Sequence, residues 1–253
     1  MRENNHSDRS EMIFGTRAVI EAIVAGKEIE RILLQRDLRN ELIQELLQVS
    51  SQHNVPVTKV PTEKLNSITR KNHQGVICFI SPIQYASLDG IIDACFSTGK
   101  LPFLLLLDRI TDVRNFGAIC RTALSAGIDA VVIPEKGAAQ INADAVKTSA
   151  GALHYLPICR VPSLHKTVQY LQESGVKVVA CTEKASDLVY NVDLSGPLAM
   201  IMGSEEDGIS NDLIRKADDL ARLPMFGPVA SLNVSAATSA ILFEAVRQRE
   251  ELV

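Results

Sequence analysis

Phe103-Leu104-Leu105-Leu106-Leu107 runs without a break into Asp108-Arg109-Ile110-Thr111-Asp112-Val113-Arg114-Asn115-Phe116-Gly117, and then into Ala118-Ile119-Cys120-Arg121. Every residue of the first five is apolar, the mark of a strand buried on both faces. The pattern recurs. Apolar strands are expected at Ala130–Ile133, Val176–Cys181 and Leu198–Met202, and helices near Gly117–Ala126, Asn142–Gly151, Leu164–Glu173 and Ile209–Ala217. Buried strands separated by helices make an α/β fold with a parallel sheet, and such sheets bind ligands at the carboxyl ends of their strands.

Three strand-end loops mix glycine with polar residues. The first carries N-x-G-x-x-x-R, from Asn115 through Gly117 to Arg121. Gly117 lets the chain approach a ligand or a neighbour closely, and Arg121 lies one helical turn beyond it. The plainer alternative makes Asn115 a helix cap and Arg121 a solvated charge. The second loop, Gly203-Ser204-Glu205-Glu206-Asp207-Gly208, lacks the features of a P-loop or a dinucleotide loop. Its three acids disfavour phosphate and suit a cationic ligand or an arginine, or simply a helix start. The third runs Pro224-Met225-Phe226-Gly227 to Ser231-Leu232-Asn233-Val234-Ser235-Ala236-Ala237 and enters an apolar helix reaching Arg247. Ser231, Asn233 and Ser235 can cap that helix or point into a site. Three such loops at one sheet edge make a ligand site.

Residues 11–81 alternate differently, with a helix around Ala18–Ala25, a strand at Ile32–Leu34, a helix at Leu42–Ser50, a strand at Val55–Val60, a short helix near Thr62–Ser67 and a strand at Val76–Ile80. That predicts a small α/β sandwich. Residues 82–101 read as a connector between this unit and a 102–253 domain, and residues 1–10 as a disordered polar leader. The 253 residues include 46% hydrophobic and 22% charged, with no apolar run long enough to cross a bilayer. Five scattered cysteines fit reduced thiols in a cytoplasm, and no metal-ligand spacing exists among His73, His154 and His165. The net charge of −4 does not suggest a nonspecific polyanion binder, so any nucleic acid would be held by local patches and shape; residues 1–75 carry 11 Lys+Arg against 10 Asp+Glu. Aromatics at 4% argue against a broad stacking platform for single strands.

Taken together, Asn115–Arg121, Met202–Gly208 and Leu223–Ala237 resemble the three ordered motifs of the SpoU/TrmH (SPOUT) class of RNA ribose methyltransferases, especially its RlmB-like members. Ile13-Phe14-Gly15 and His73-Gln74-Gly75-Val76 look like the two ends of that family's N-terminal domain, with Arg17 departing from a frequent histidine. The resemblance implies a SPOUT domain with a deep trefoil knot, and an L30e-like RNA-binding domain before it. It implies S-adenosylmethionine as cofactor, a homodimer with the site near the subunit interface, no metal, and a guanosine 2′-hydroxyl of large-subunit (23S) ribosomal RNA as acceptor. Arg121, Asn115, Glu205, Ser231 and Asn233 take the catalytic positions. Thr182, Gly203, Leu223, Met225 and Leu232 take the cofactor wall. Leu223 and Leu232 are expected to face the cofactor, Ser231 and Asn233 the RNA. A transfer RNA methyltransferase or a noncatalytic ribosome-assembly factor on the same fold are the rival readings, and a nucleotide- or NAD-binding enzyme is disfavoured by the missing glycine loop.

Overall fold

The apolar run at 103–108 is the centre of a six-stranded sheet. The structure, a computed structural model, describes residues 11–228 and 231–250. The polar leader read over residues 1–10 lies outside the described residues. Two compact units emerge, one of residues 11–84 with 141–144, the other of the described residues 85–140 and 145–250.

In the first unit, strands β1 (Met12–Phe14), β2 (Ile29–Gln35), β3 (Val57–Val60) and β4 (Val76–Ile80) form a sheet in the order β1-β4-β2-β3. Only β2 and β3 run parallel. Alternation along the strands sorts the side chains. Ile32, Leu34, Val76 and Cys78 meet helices α1 (Thr16–Val24) and α2 (Glu41–Gln52) on one face, while Leu33 and Ile77 meet Leu65 of α3 (Thr62–Ile68) on the other. Arg17, the departure noted above, reaches Glu45 across α1 and α2 at 3.5 Å on the surface.

In the second unit, β5 (Phe103–Asp108), β6 (Ala130–Pro134), β7 (Ile158–Val161), β8 (Lys177–Cys181), β9 (Leu198–Gly203) and β10 (Asp219–Ala221) form one sheet in the order β10-β8-β9-β5-β6-β7. Each pairing is parallel. Every residue of β5 and β9 is buried, as continuous apolar strands in a doubly covered sheet should be. Helices α4 (Leu88–Ser97), α5 (Val113–Ser125), α6 (Ala143–Thr148), α7 (Leu164–Glu173), α8 (Asn211–Lys216) and α9 (Val234–Glu250) connect or cover the strands.

The segment 82–101, read as a connector, is divided by the structure. Residues from Tyr85 onward belong to the second unit, where Leu88 and Ile92 of α4 enter the core. Their four-residue spacing puts both on one helix face. Tyr85 also bridges Ile158, and the Ala86 N–H donates to the Ile158 carbonyl at 2.8 Å, extending the sheet edge. Strands β7 and β10 had no sequence signal, because both are short edge strands with polar residues, Arg160 and Asp219, in them.

Candidate active site

The carboxyl ends of β5, β8, β9 and β10 open onto two neighbouring cavities in the second unit. The first, about 460 Å³, is lined by Thr182 after β8, by 202–209 after β9, by Leu223 and Met225 after β10, and by Ser231 and Leu232 before α9. The second, about 420 Å³, is lined by 109–112 after β5, by Asn115 and by 204–207. Residues 204–207 and Val234 line both, so the loop after β9 is a partition between two chambers. Volumes of this order suit small-molecule ligands.

The partition is tightly built. Gly208 and Ser204 form a bridge, with the Gly208 N–H donating to the Ser204 carbonyl at 3.0 Å and the Asp207 N–H to Ser204 Oγ at 3.1 Å. A Cβ on Gly203 would lie 2.2 Å from the Gly208 carbonyl carbon and from the Ile209 nitrogen, so glycine is required by the loop's own backbone. Asp108 is buried, and its Oδ2 accepts from the Ser210 N–H at 2.7 Å. Arg109 donates to Asp207 at 3.1 Å and to the Gly208 carbonyl at 2.9 Å. It does so from a positive φ of 58°, a conformation that costs a non-glycine residue about 1 kcal/mol or more. The clamp offsets that strain. No pattern in the sequence singled out Arg109; the expectation that the acids would hold an arginine was the one available hint.

Glu205 sits at the junction. Its Oε1 accepts from Asn115 Nδ2 at 3.2 Å, from the Val234 N–H at 3.0 Å and from Asn233 Nδ2. Asn233 Nδ2 also donates to Asn115 Oδ1 at 3.0 Å. Asn233 Oδ1 in turn accepts from the N–H groups of Ser235 at 3.0 Å and Ala236 at 3.4 Å, which makes it the cap of α9. One carboxylate and two amides thus tie the starts of α5 and α9 to the partition, and the carboxylate favours the positive end of α9.

The cysteines supply no nucleophile to the site. All five cysteines are buried and free, and burial pushes the Cys181 thiol, on the wall of the first cavity, up to about 12. A thiol in that state is no nucleophile. Among the described residues, no group of His, Cys, Asp and Glu has the arrangement of a metal site.

Residues 102–243 match the profile of the SpoU rRNA Methylase family, and residues 12–86 match that of RNA 2′-O ribose methyltransferase substrate binding. The chain belongs to the SpoU rRNA methylase family. A protein of Staphylococcus saprophyticus named as a TrmH family tRNA/rRNA methyltransferase is 34% identical over 94% of this chain and 96% of its own. One of Bacillus subtilis with the same family name is 31% identical over 96% and 98%. Among solved structures, the SpoU methyltransferase AviRb of Streptomyces viridochromogenes, in complex with AdoMet, superposes with a TM-score of 0.61 at 26% identity, covering 95% of this chain and 90% of that one. An AdoMet-bound rRNA methyltransferase of Sinorhizobium meliloti does so with 0.58 at 27%, covering 96% and 87%.

Against the SpoU motifs, the structure distributes the expected residues unevenly. Thr182, Gly203, Leu223, Met225 and Leu232 line one cavity together, and Ser231 lines it with them rather than standing apart with Asn233. Asn115, Glu205 and Asn233 form one hydrogen-bonded cluster. The cap of α5 is Asp112, whose Oδ1 accepts from the Asn115 N–H at 2.8 Å, so Asn115 keeps its side chain for Glu205. Gly117 serves a neighbour rather than a ligand, since its missing Cβ would fall 2.7 Å from Cβ of Thr148 on α6. Arg121 stands alone. It is exposed on α5, lines neither cavity, and its guanidinium makes no bond among the described residues. Glu205 holds Asn115 and Asn233 but not Arg121. Asn115 and Arg121, six residues apart, lie about 120° apart around the helix.

The cap gives a stability prediction within the SpoU framework. Asn233→Ala should lower unfolding free energy by about 1 kcal/mol, a fall of about 2–4 °C in Tm, while Asn233→Ser keeps most of it. Thermal unfolding of the two variants checks this, and equal melting points would remove the capping role.

Proposed function

We propose that this chain is an S-adenosylmethionine-dependent RNA ribose methyltransferase that methylates the 2′-hydroxyl of a guanosine in large-subunit ribosomal RNA. The observation that carries the reading is the partition 204–207, with Thr182, Leu223, Met225 and Leu232 on one side, Asn115 on the other, and Glu205 within the partition itself. A methyl donor and a nucleotide on opposite sides of one thin loop can meet at its edge.

The residues of the first cavity fit the cofactor. Leu223, Leu232 and Met225 offer apolar surface for adenine, and the backbone of 203–209 offers peptide groups. Glu206, without a protein partner among the described residues, and Glu183 set negative charge against a cationic ligand. When bound, S-adenosylmethionine supplies a methyl group on a positively charged sulfur. The chain then has to hold the acceptor hydroxyl in line, exclude water and ease the loss of its proton. Asn115, fixed by Glu205 and Asn233, positions the ribose. Arg121, a planar side chain with several N–H donors, binds the ribose or its phosphate and stabilises the forming alkoxide.

The proposal includes the deep trefoil knot and a homodimer. The parallel sheet and the superposition on SpoU structures support the first. Exposed Leu124 on α5 and Phe243 on α9 support the second, and a copy packed there would bring its own Arg121 toward the site. Ribosomal rather than transfer RNA is supported by the name of the matched family.

Incubation with radiolabelled S-adenosylmethionine and total RNA from a deletion strain should place label in 23S RNA. Alkaline hydrolysis should then leave the labelled nucleotide in a resistant dinucleotide beginning with guanosine. Label confined to transfer RNA, or released as a base-methylated mononucleotide, would overturn the acceptor named here.

A further inference from the structure

The first unit carries a groove that the methyl-transfer site does not use. Strand β1 and the segment 66–71 at the end of α3 flank a space of about 940 Å³, lined among others by Glu11, Phe14, Asn66, Arg70 and Lys71. The Lys71 ammonium sits 5.4 Å from the centroid of the Phe14 ring. That face of the ring, on a residue lining the groove, is covered by a mobile-ended lysine rather than by the apolar core.

Behind the groove lies His73, buried and bonded through both ring nitrogens. Nδ1 accepts the Gly75 N–H at 3.0 Å, which leaves Nε2 to donate to Asn66 Oδ1 at 3.0 Å. That bond fixes the Asn66 amide. Its oxygen is used, and its Nδ2 has no partner among the described residues, leaving a donor on the groove wall.

The charge is local and unbalanced. From Val57 to Gly75 the basic residues are Lys59, Lys64, Arg70 and Lys71 against the single acid Glu63. None of the four has an acidic partner among the described residues. Glu11, the acid on the groove itself, is drawn toward Lys27 at 3.8 Å. An aromatic face, an oriented amide donor and unpaired cations are the components that recognise an unstacked nucleotide. A sequence low in aromatics has no broad stacking platform, but one base needs only one ring.

We infer that this groove holds an unpaired nucleotide of the RNA substrate, an inference that rests on the RNA methyltransferase reading. The base stacks on Phe14, displacing the Lys71 ammonium, which with Arg70 meets the flanking phosphates. Asn66 Nδ2 donates to a carbonyl on the base edge. Paired RNA cannot present a free base face, so the groove selects loops or bulges.

The test uses the full-length protein and a fluorescein-labelled single-stranded oligoribonucleotide of about 12 nucleotides, a length within the usual range of single-strand sites. Anisotropy gives Kd, with the same strand annealed to its complement as competitor. The Arg70→Ala/Lys71→Ala double variant should raise Kd about tenfold or more and flatten the salt dependence by about 1.4 in log–log slope, the value for two lost phosphate contacts. Phe14→Leu keeps apolar packing but not stacking, and should raise Kd about tenfold with the slope unchanged. Lys166→Ala, on an exposed helix face of the second unit, should do neither. Thermal unfolding confirms that Phe14→Leu is folded. Kd values within twofold of the parent for both groove variants, or a duplex that competes as well as the single strand, would overturn the groove. If the parent protein still methylates RNA in that case, the groove alone has failed. If it neither binds nor methylates any RNA, the underlying reading has failed with it.

Discussion

Arg121→Ala should leave S-adenosylmethionine affinity within about twofold of the parent and lower methyl transfer by about 10²–10³-fold or more, the loss typical of removing one charge-stabilising donor. The structure makes this an unusually clean substitution. The side chain is exposed, lines neither cavity and makes no bond among the described residues. Substitutions at such surface positions usually change stability by less than about 0.5 kcal/mol. A fall in turnover therefore cannot be assigned to misfolding or to a damaged cofactor wall. Arg121→Lys refines the result. Lysine restores the charge but not the planar fork, so a partial rescue measures how far bidentate geometry matters. Calorimetric titration of the cofactor beside a single-turnover transfer assay reads both quantities. Turnover retained within tenfold in the alanine variant would remove Arg121 from the chemistry.

The second large effect belongs to a residue with no side chain. Gly203→Ala should abolish measurable cofactor binding, a loss of about 100-fold or more, and destabilise the fold by about 1–3 kcal/mol, as overpacking does. The added methyl would meet the Gly208 carbonyl carbon and Ile209 nitrogen at 2.2 Å and the Gly208 oxygen at 2.4 Å. These are backbone atoms, so no side chain can swing aside. The Ser204–Gly208 bridge must open, and Glu205 leaves its position against Asn115, Asn233 and the Val234 N–H. Gly196→Ala is the matched control, because a Cβ there meets nothing within 4 Å. Normal cofactor affinity in the Gly203 variant, measured by the same titration, would show that the partition does not shape the cofactor site.

Sequence and structure agree where one physical pattern dominates. The runs 103–107 and 198–202 are apolar at every position because both sheet faces are covered, and that reads directly as buried parallel strands. The three polar strand-end loops were legible for the same reason, since glycine and amide residues interrupt an otherwise apolar pattern. Edges were not legible. In Ile158–Val161 and Asp219–Ala221 half-exposure removes the apolar run, leaving too few residues to show a period. The start of α5 misled in a different way. Spacing alone cannot distinguish Asp112 from Asn115 as the cap, nor show whether Gly117 makes room for a ligand or for α6. Arg109 was invisible because its role depends on a backbone conformation and on a loop nearly 100 residues away. The split of Ser231 from Asn233 likewise depends on side-chain direction, which alternation in sequence suggests only for an extended strand.

With the methyl donor in one chamber and RNA in the other, as proposed, the thin 204–207 loop would couple the two ligands. Its inner anchor is one carboxylate oxygen receiving three donors, one of them the first N–H of α9. On the proposed reading, a molecule that stiffens this wall from the first chamber would also hold Asn115 in the second, and the reverse. Linkage makes such an effect symmetric: whatever factor the methyl donor adds to RNA affinity, RNA adds to affinity for the donor. The order in which the two arrive then alters the route but not the strength of the ternary complex, and transfer of the methyl group changes both partners at the shared wall at once.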